Sequence, residues 1–282
     1  MGKEDYNHKQ KLVDKLFDAR SAFWRDTYQQ NDAHGIIVRQ RQAIALKYVD
    51  ELSLPKTARV LEIGCGAGFM AVALARRGFT VEAVDHAPAM IELTQKHAKH
   101  TGMDDRIHVA IEDVHELTFE DRSFDLIVAL GVISWLHDLR RALVEITRVL
   151  KHGGYVVLNS GRAHALLNPM SNPAFELILE RLKRITARDQ QSIARPHAYL
   201  EQEFNQYLCE ANLTIIKKTN VGFGPFKILN HKIFSDQVEI KIQQKLQHYA
   251  DNGYPIIRSA GGQYIVLARK KLSARLRNVS TF

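Results

Sequence analysis

Between Arg59 and Ser160, five short apolar runs alternate with helical patterns, and this alternation restricts the available folds more than any other feature of the chain. The runs are "RVLEI", "TVEAVD", "RIHVAIED", "FDLIVALG" and "YVVLNS". They are nearly continuous in hydrophobicity, as expected of strands buried on both faces, and helices between such strands imply parallel pairing. The helical segments carry their own punctuation: "PAMIELTQKHAKHTG" opens at Pro88 and closes at Gly102, and "FMAVALARRG" closes at Gly78. The expected fold is therefore α/β and doubly wound. Two later strands, in "LTIIKKTN" and "QYIVLARK", would complete a mostly parallel seven-stranded sheet with an antiparallel edge strand.

The flanking regions read differently. In "GIIVRQRQAIALKYVDEL", Ile37, Ile44, Tyr48 and Leu52 fall on one helical face, and Pro55 ends the segment. After Ser160, a helix, three prolines and many basic groups interrupt the alternation, as in a cap or lid. The expected divisions are an N-terminal helical segment (1–54), the α/β core (55–160) and a cap insertion (161–199). A returning part of the core, with an insertion between its last two strands, spans 200–270, and a basic tail spans 271–282.

Charge adds location more than magnitude. The formal net charge is +8; Leu213 to Phe282 holds 12 Lys and Arg against 3 Asp and Glu, or +9, leaving 8 − 9 = −1 elsewhere. Such an excess suits an anionic substrate, a phospholipid surface, nucleic acid or simply a solvated face. The apolar stripe Phe234, Val238, Ile242 and Leu246, with Lys241 and Lys245 beside it, could rest on a membrane as a peripheral contact. No apolar stretch reaches the roughly 18 residues of a spanning helix, and the polar start does not read as a secretory signal, so a cytoplasmic location is expected. Two cysteines, Cys65 and Cys209, give neither a disulfide framework nor zinc-ligand spacing, and no metal is expected.

The turn after the first strand reads "GCGAG". In an open α/β sheet ligands bind beyond the carboxyl ends of the strands, and glycines there let a ligand lie against bare backbone beside a helix N-terminus. A nicotinamide dinucleotide would call for a third glycine one position later, where Phe69 stands. Glu62, just before the loop, would also repel a pyrophosphate and suits an ammonium or sulfonium. Asp85 ends the second strand, where a carboxylate can accept from both hydroxyls of a ribose. In "IEDV", Asp113 can accept from an adenine amino group while Val114 covers the ring.

"VLEIGCGAG", "VEAVD", "IEDV" and "FDLIVALGVISWL", in this order and spacing, resemble the class I S-adenosylmethionine-dependent methyltransferases, particularly the small-molecule branch that includes quinone-biosynthesis enzymes. The resemblance implies a Rossmann-like methyltransferase fold, S-adenosyl-L-methionine as cofactor and S-adenosyl-L-homocysteine as product. It would set Gly64, Cys65, Gly66 and Gly68 against the methionine part, with Glu62 at its amino group. Asp85 would hold the ribose, His86 and Met90 would border the adenosine, and Asp113 and Val114 would bind adenine. Leu130 and Gly131 would lie near the methyl, and the N-terminal segment would close over the cofactor, with Tyr28 as its contact.

Methyl transfer from a sulfonium is an in-line displacement, so alignment and exclusion of water come first and a base is needed only where the acceptor must lose a proton. The candidate bases are His137 and His164, with His197 beside them. Relatives often carry His where this chain has Trp135, which puts any inherited catalytic histidine in doubt and makes Trp135 either an acceptor wall or a core residue. Leu166, Met170, Phe223 and Phe226 are further candidates for apolar pocket walls. A small-molecule acceptor is expected. Nucleic acid is disfavoured, since the chain has neither a recognisable RNA-binding module nor an Asn/Asp-Pro-Pro-aromatic motif; a cofactor-binding protein that has lost transfer is the third reading.

Overall fold

A computed structural model describes residues 3–163, 196–224, 226–228 and 231–272. Three helices, α1 (Lys3–Ala19), α2 (Ser21–Thr27) and α3 (Ala33–Glu51), precede the sheet. The parallel strands β1 (Arg59–Ile63), β2 (Thr80–Asp85), β3 (Ile107–Ile111), β4 (Phe124–Ala129) and β5 (Leu150–Arg162) follow. They are linked by α4 (Phe69–Ala75), α5 (Pro88–His100) and α6 (Leu139–Val149), with a single 3-10 turn at Ile133–Trp135. The expected cap insertion lies mostly outside the described residues; from residue 196 come β6 (Ala198–Tyr199), α7 (Glu201–Glu210), β7 (Leu213–Val221) and a small hairpin of β8 (Lys227–Ile228) and β9 (His231–Lys232). The chain then forms α8 (Asp236–Asp251), α9 (Pro255–Arg258) and β10 (Gln263–Lys270).

The strand order is β3-β2-β1-β4-β5-β10-β7, with short β6 pairing the end of β5 as an eighth strand. This corrects one expectation: the antiparallel strand is not at the edge. β10 pairs antiparallel with both β5 and β7, so it lies one strand in and β7 forms the border. The excursion through β8 to α9 brings the chain back from the opposite end, and β10 then satisfies the ladder groups of both neighbours.

From β1 the chain steps outward to β2 and β3, then returns to β4 on the other side of β1. The crevice at the carboxyl ends of β1 and β4 is thus a topological switch point. Two cores hold it in place. On one face Phe124, Leu143, Ile146 and Phe204 join α6 and α7 to the sheet; on the other Tyr48, Met70, Leu74 and Phe79 join α3 and α4. In α6, buried Leu139, Leu143, Ile146 and Val149 follow helical spacing, and the Asp138 side chain caps the helix by accepting from Arg141 N at 3.0 Å.

In α8 the expected apolar stripe is divided. Val238, Lys241 and Lys245 are exposed, while Glu239, Gln243 and Gln247 are buried toward the rest of the fold. Among the described residues no helix is long and apolar enough to cross a membrane.

Ile127 lies at the centre of β4 with no exposure, whereas Val144 on α6 is 60% exposed. Ile127→Ala is expected to cost about 2–5 kcal/mol and Val144→Ala to stay within about 0.5 kcal/mol. Urea unfolding curves compare them directly.

Candidate active site

The turn from β1 to α4 is tied to the neighbouring strand before any side chain is involved. The backbone N–H groups of Gly64 and Cys65 both donate to Val84 O, at 2.7 and 3.0 Å. Gly64 has φ +72°, and a Cβ there would overlap the Val132 side chain. Gly66 has φ +56°, but a Cβ there would meet nothing within 4 Å. The first glycine is therefore required by packing as well as backbone; the second leaves room for a ligand against the chain. Gly68 caps α4 and backs onto Thr94, and does not line the cavity.

The cavity has a volume of about 340 Å³ and opens where the switch point predicts. Glu62, Gly64, Cys65 and Gly66 form its wall at β1; Asp85, His86 and Met90 form it at β2 and α5. Asp113 and Val114 extend it past β3, and Leu130 and Gly131 past β4. Tyr28 joins from the α2–α3 connection, its ring stacked on Phe69 at 4.1 Å. Twelve of the thirteen residues that the resemblance implied for the cofactor thus share one cavity, Gly68 being the exception.

Its electrostatics favour a cation. Glu62 is 4% exposed, and its Oε2 has no hydrogen-bond partner. Burial pushes its carboxyl well above the usual range, the nearby Asp85 charge adds to this, and a backbone bond from Ala71 opposes it. Asp85 is also raised by burial, against backbone bonds from Ala87 N and Gly66 N, each 3.0 Å away. The buried Glu62 carboxyl and the half-buried Asp85 carboxyl beside it make a socket for a ligand bearing positive charge and hydroxyl donors.

Helix α1 spans the crevice. Asp14 lies 2.9 Å from His86 Nδ1, and Phe17 meets Trp135 edge-on at 5.2 Å. The hydrogen bond to Asp14, ahead of opposing desolvation, raises the His86 pKa above its ordinary value of 6.5. The charged contact is therefore complete below that value and fades as pH rises through the raised one.

Several cavity residues escaped the sequence reading. Arg41 of α3 stands over Gly131, with its Nε buried and unpartnered. Asn159 and Gln263 line the β5–β10 side, and Phe17, Trp24 and His34 line the helical side. Only Asn159 left a sequence signal, as a polar residue ending an apolar strand; an arginine in "VRQRQ" looks like a solvated face.

Other candidates lie elsewhere. His137 is outside this cavity because its ring packs at 4.0 Å from His115, and it lines a neighbouring cavity of about 610 Å³ together with His197. Trp135 borders both cavities. Phe223 and Phe226 pack with Ala250 and Ala260 in a separate cluster, away from the site. His164, Leu166 and Met170 lie outside the described residues.

Residues 61–158 match the family model described as "Methyltransferase domain". A ubiquinone biosynthesis O-methyltransferase of Coxiella burnetii is 23% identical over 213 residues, covering 76% of this chain and 86% of that one. Among solved structures, a putative methyltransferase of Haloferax volcanii in complex with the activator Trm112 superposes with a TM-score of 0.61 at 16% identity, over 90% of this chain and 97% of that one. The [4+2]-cyclase SpnF also superposes, with a TM-score of 0.55 at 17% identity over 82% and 81%. Likeness at such identities establishes the fold alone. The family match and the relatives identify a class I S-adenosylmethionine-dependent methyltransferase domain in this chain. Within that class it is an enzyme of the small-molecule type.

The residues present fit the cofactor of that class: an unpartnered buried carboxylate oxygen at Glu62, open space over Gly66, and Asp85 between them and the adenine side. When bound, the cofactor supplies an electrophilic methyl on a sulfonium. An ionised Glu62 would meet its ammonium, and burial opposes that ionisation before the ligand arrives. Binding is therefore expected to release protons, seen by calorimetry in buffers of different ionisation enthalpy. Without ligand, the raised pKa means the unfolded state ionises first, so stability falls as pH rises from about 4.5 toward the raised value. Glu62→Gln is expected to flatten that fall, reduce proton release and weaken binding roughly tenfold or more. Unchanged proton release would contradict the assignment.

Proposed function

We propose that the chain transfers a methyl group to an oxygen of a small, flat, partly apolar acceptor. The aromatic slot beside the glycine loop carries this reading. Phe17 and Trp24 stack at 5.4 Å with 22° between their planes, and Trp135 stands edge-on to Phe17. Such walls select a ring or conjugated system and exclude water from the displacement. The O-methyltransferase name of the Coxiella burnetii relative supports oxygen as the attacking atom.

In this reading Glu62, Asp85 and Asp113 fix the cofactor, Tyr28 covers it, and Gly64 and Gly66 let it approach the backbone. An oxygen nucleophile must shed a proton, and His34 is the cavity histidine suited to take it. It lies in the first turn of α3 and lines the cavity. His137, turned onto His115 outside the cavity, is not assigned that role. The nucleic-acid alternative loses support because α1 and α2 contribute Val13, Asp14, Phe17 and Trp24 to the cavity wall, leaving a chamber of metabolite size.

Transfer of tritiated methyl from S-adenosylmethionine into cell extract tests the reading. The expected product is a solvent-extractable small molecule, heavier by one methylene, whose label is released by ether cleavage but not by mild alkali. Label in precipitable nucleic acid or protein, or on nitrogen or carbon of the product, would contradict it.

A further inference from the structure

At the acceptor side of the cavity, three groups form a hydrogen-bonded chain whose polarity is set by its first link. Gly131 N–H donates to Asn159 Oδ1 at 2.6 Å, and Asn159 Nδ2 donates to Gln263 Oε1, also at 2.6 Å. A backbone N–H can only donate, so the Asn159 atom it meets must be oxygen. The other end of that amide can then only donate, so the Gln263 atom it meets must also be oxygen. The two amide orientations, ordinarily hard to tell apart, are settled by this sequence of constraints. Gln263 Nε2 is left at the end of the chain with both N–H groups, and no other side-chain hydrogen bond of Gln263 occurs among the described residues.

The support is rigid. Asn159 is 2% exposed, on a strand paired to both β4 and β10. In the β5–β10 register Asn159 pairs with Ile265 and Gln263 with Gly161, which makes Asn159 and Gln263 diagonal neighbours on one face. Gln263 opens β10 and lines the cavity.

Its distance from Glu62 indicates which ligand it meets. Along β1-β4-β5-β10, three strand spacings separate the two backbones, on the order of 14 Å. A cofactor whose ammonium sat at Glu62 would carry its carboxylate on the same carbon, and so near Glu62. The Gln263 donor therefore faces the acceptor.

We infer that Gln263 is a specificity-determining residue whose Nε2 donates to an acceptor oxygen beside the methylated position. The inference rests on the small-molecule reading above and narrows it. The site takes acceptors carrying a carbonyl, carboxylate or phenolate oxygen there and rejects analogues with only C–H or N–H at that point. Such rejection follows because a half-buried donor that a bound acceptor would seal from water is left unpaired when its partner oxygen is missing. Asn159 acts through Gln263 as a positioning residue.

Two measurements test this. The first uses the extract fraction that accepts tritiated methyl. Gln263→Leu is expected to raise its half-saturating concentration roughly tenfold or more, with Gln263→Glu worse still, while S-adenosylmethionine affinity stays within about twofold of wild type. The second requires no turnover: salicylate, flat and oxygen-bearing, is expected to bind the S-adenosylhomocysteine complex of the wild type and to lose that binding in Gln263→Leu. Unchanged acceptor saturation, a matching loss of cofactor affinity, or equal salicylate binding by wild type and variant would overturn the inference. Absence of methyl transfer to any fraction would instead contradict the proposed function, and the salicylate comparison would still decide the role of Gln263.

Discussion

A carboxyl buried with no internal counter-charge is the constraint on which the site turns. Glu62 lies near the end of a central strand, is almost inaccessible, and has an oxygen that no group among the described residues satisfies. An apolar residue there would make a more stable strand end. The unmet oxygen has a rationale as half of a contact that the ligand completes, and active sites are where such local conflicts are expected. Asp85 adds a second carboxyl raised by burial, so a positively charged ligand would offset the cost of ionising both.

The fold supplies everything that this socket needs. Reversal of strand order about β1 opens the crevice, and the bonds from Gly64 and Cys65 to Val84 hold the glycine loop on its rim. Helices α1 to α3 then cover it from outside the sheet. They contribute Phe17, Trp24, Tyr28 and Arg41 to the wall, and the Asp14 and His86 contact fastens α1 across the adenosine side. The β1–β2 side of the cavity thus depends on sheet geometry, whereas its aromatic side depends on how the N-terminal helices pack.

That division explains what was legible in the sequence. Glu62, Gly64, Gly66, Asp85 and Asp113 were readable because each sits at a strand end, where local pattern dictates position. The sheet was readable too, apart from β10, whose place inside the edge depends on a long excursion rather than on its own residues. Arg41, His34 and Trp24 were not readable, because a helix shows its periodicity but not what it packs against. Gln263 was hidden for the same reason: its role exists only through Asn159 and Gly131, 104 residues and more away in sequence. His137 misled because nearness to a strand end does not fix the direction of a side chain, and here it turns onto His115.

The central claim is that the cofactor ammonium completes Glu62. A crystal structure of the protein bound to S-adenosylhomocysteine tests it most directly. The expected result is the amino nitrogen within hydrogen-bond distance of a Glu62 carboxylate oxygen, with the ribose hydroxyls on Asp85. An amino group held elsewhere, with Glu62 still unpartnered in the complex, would contradict the account.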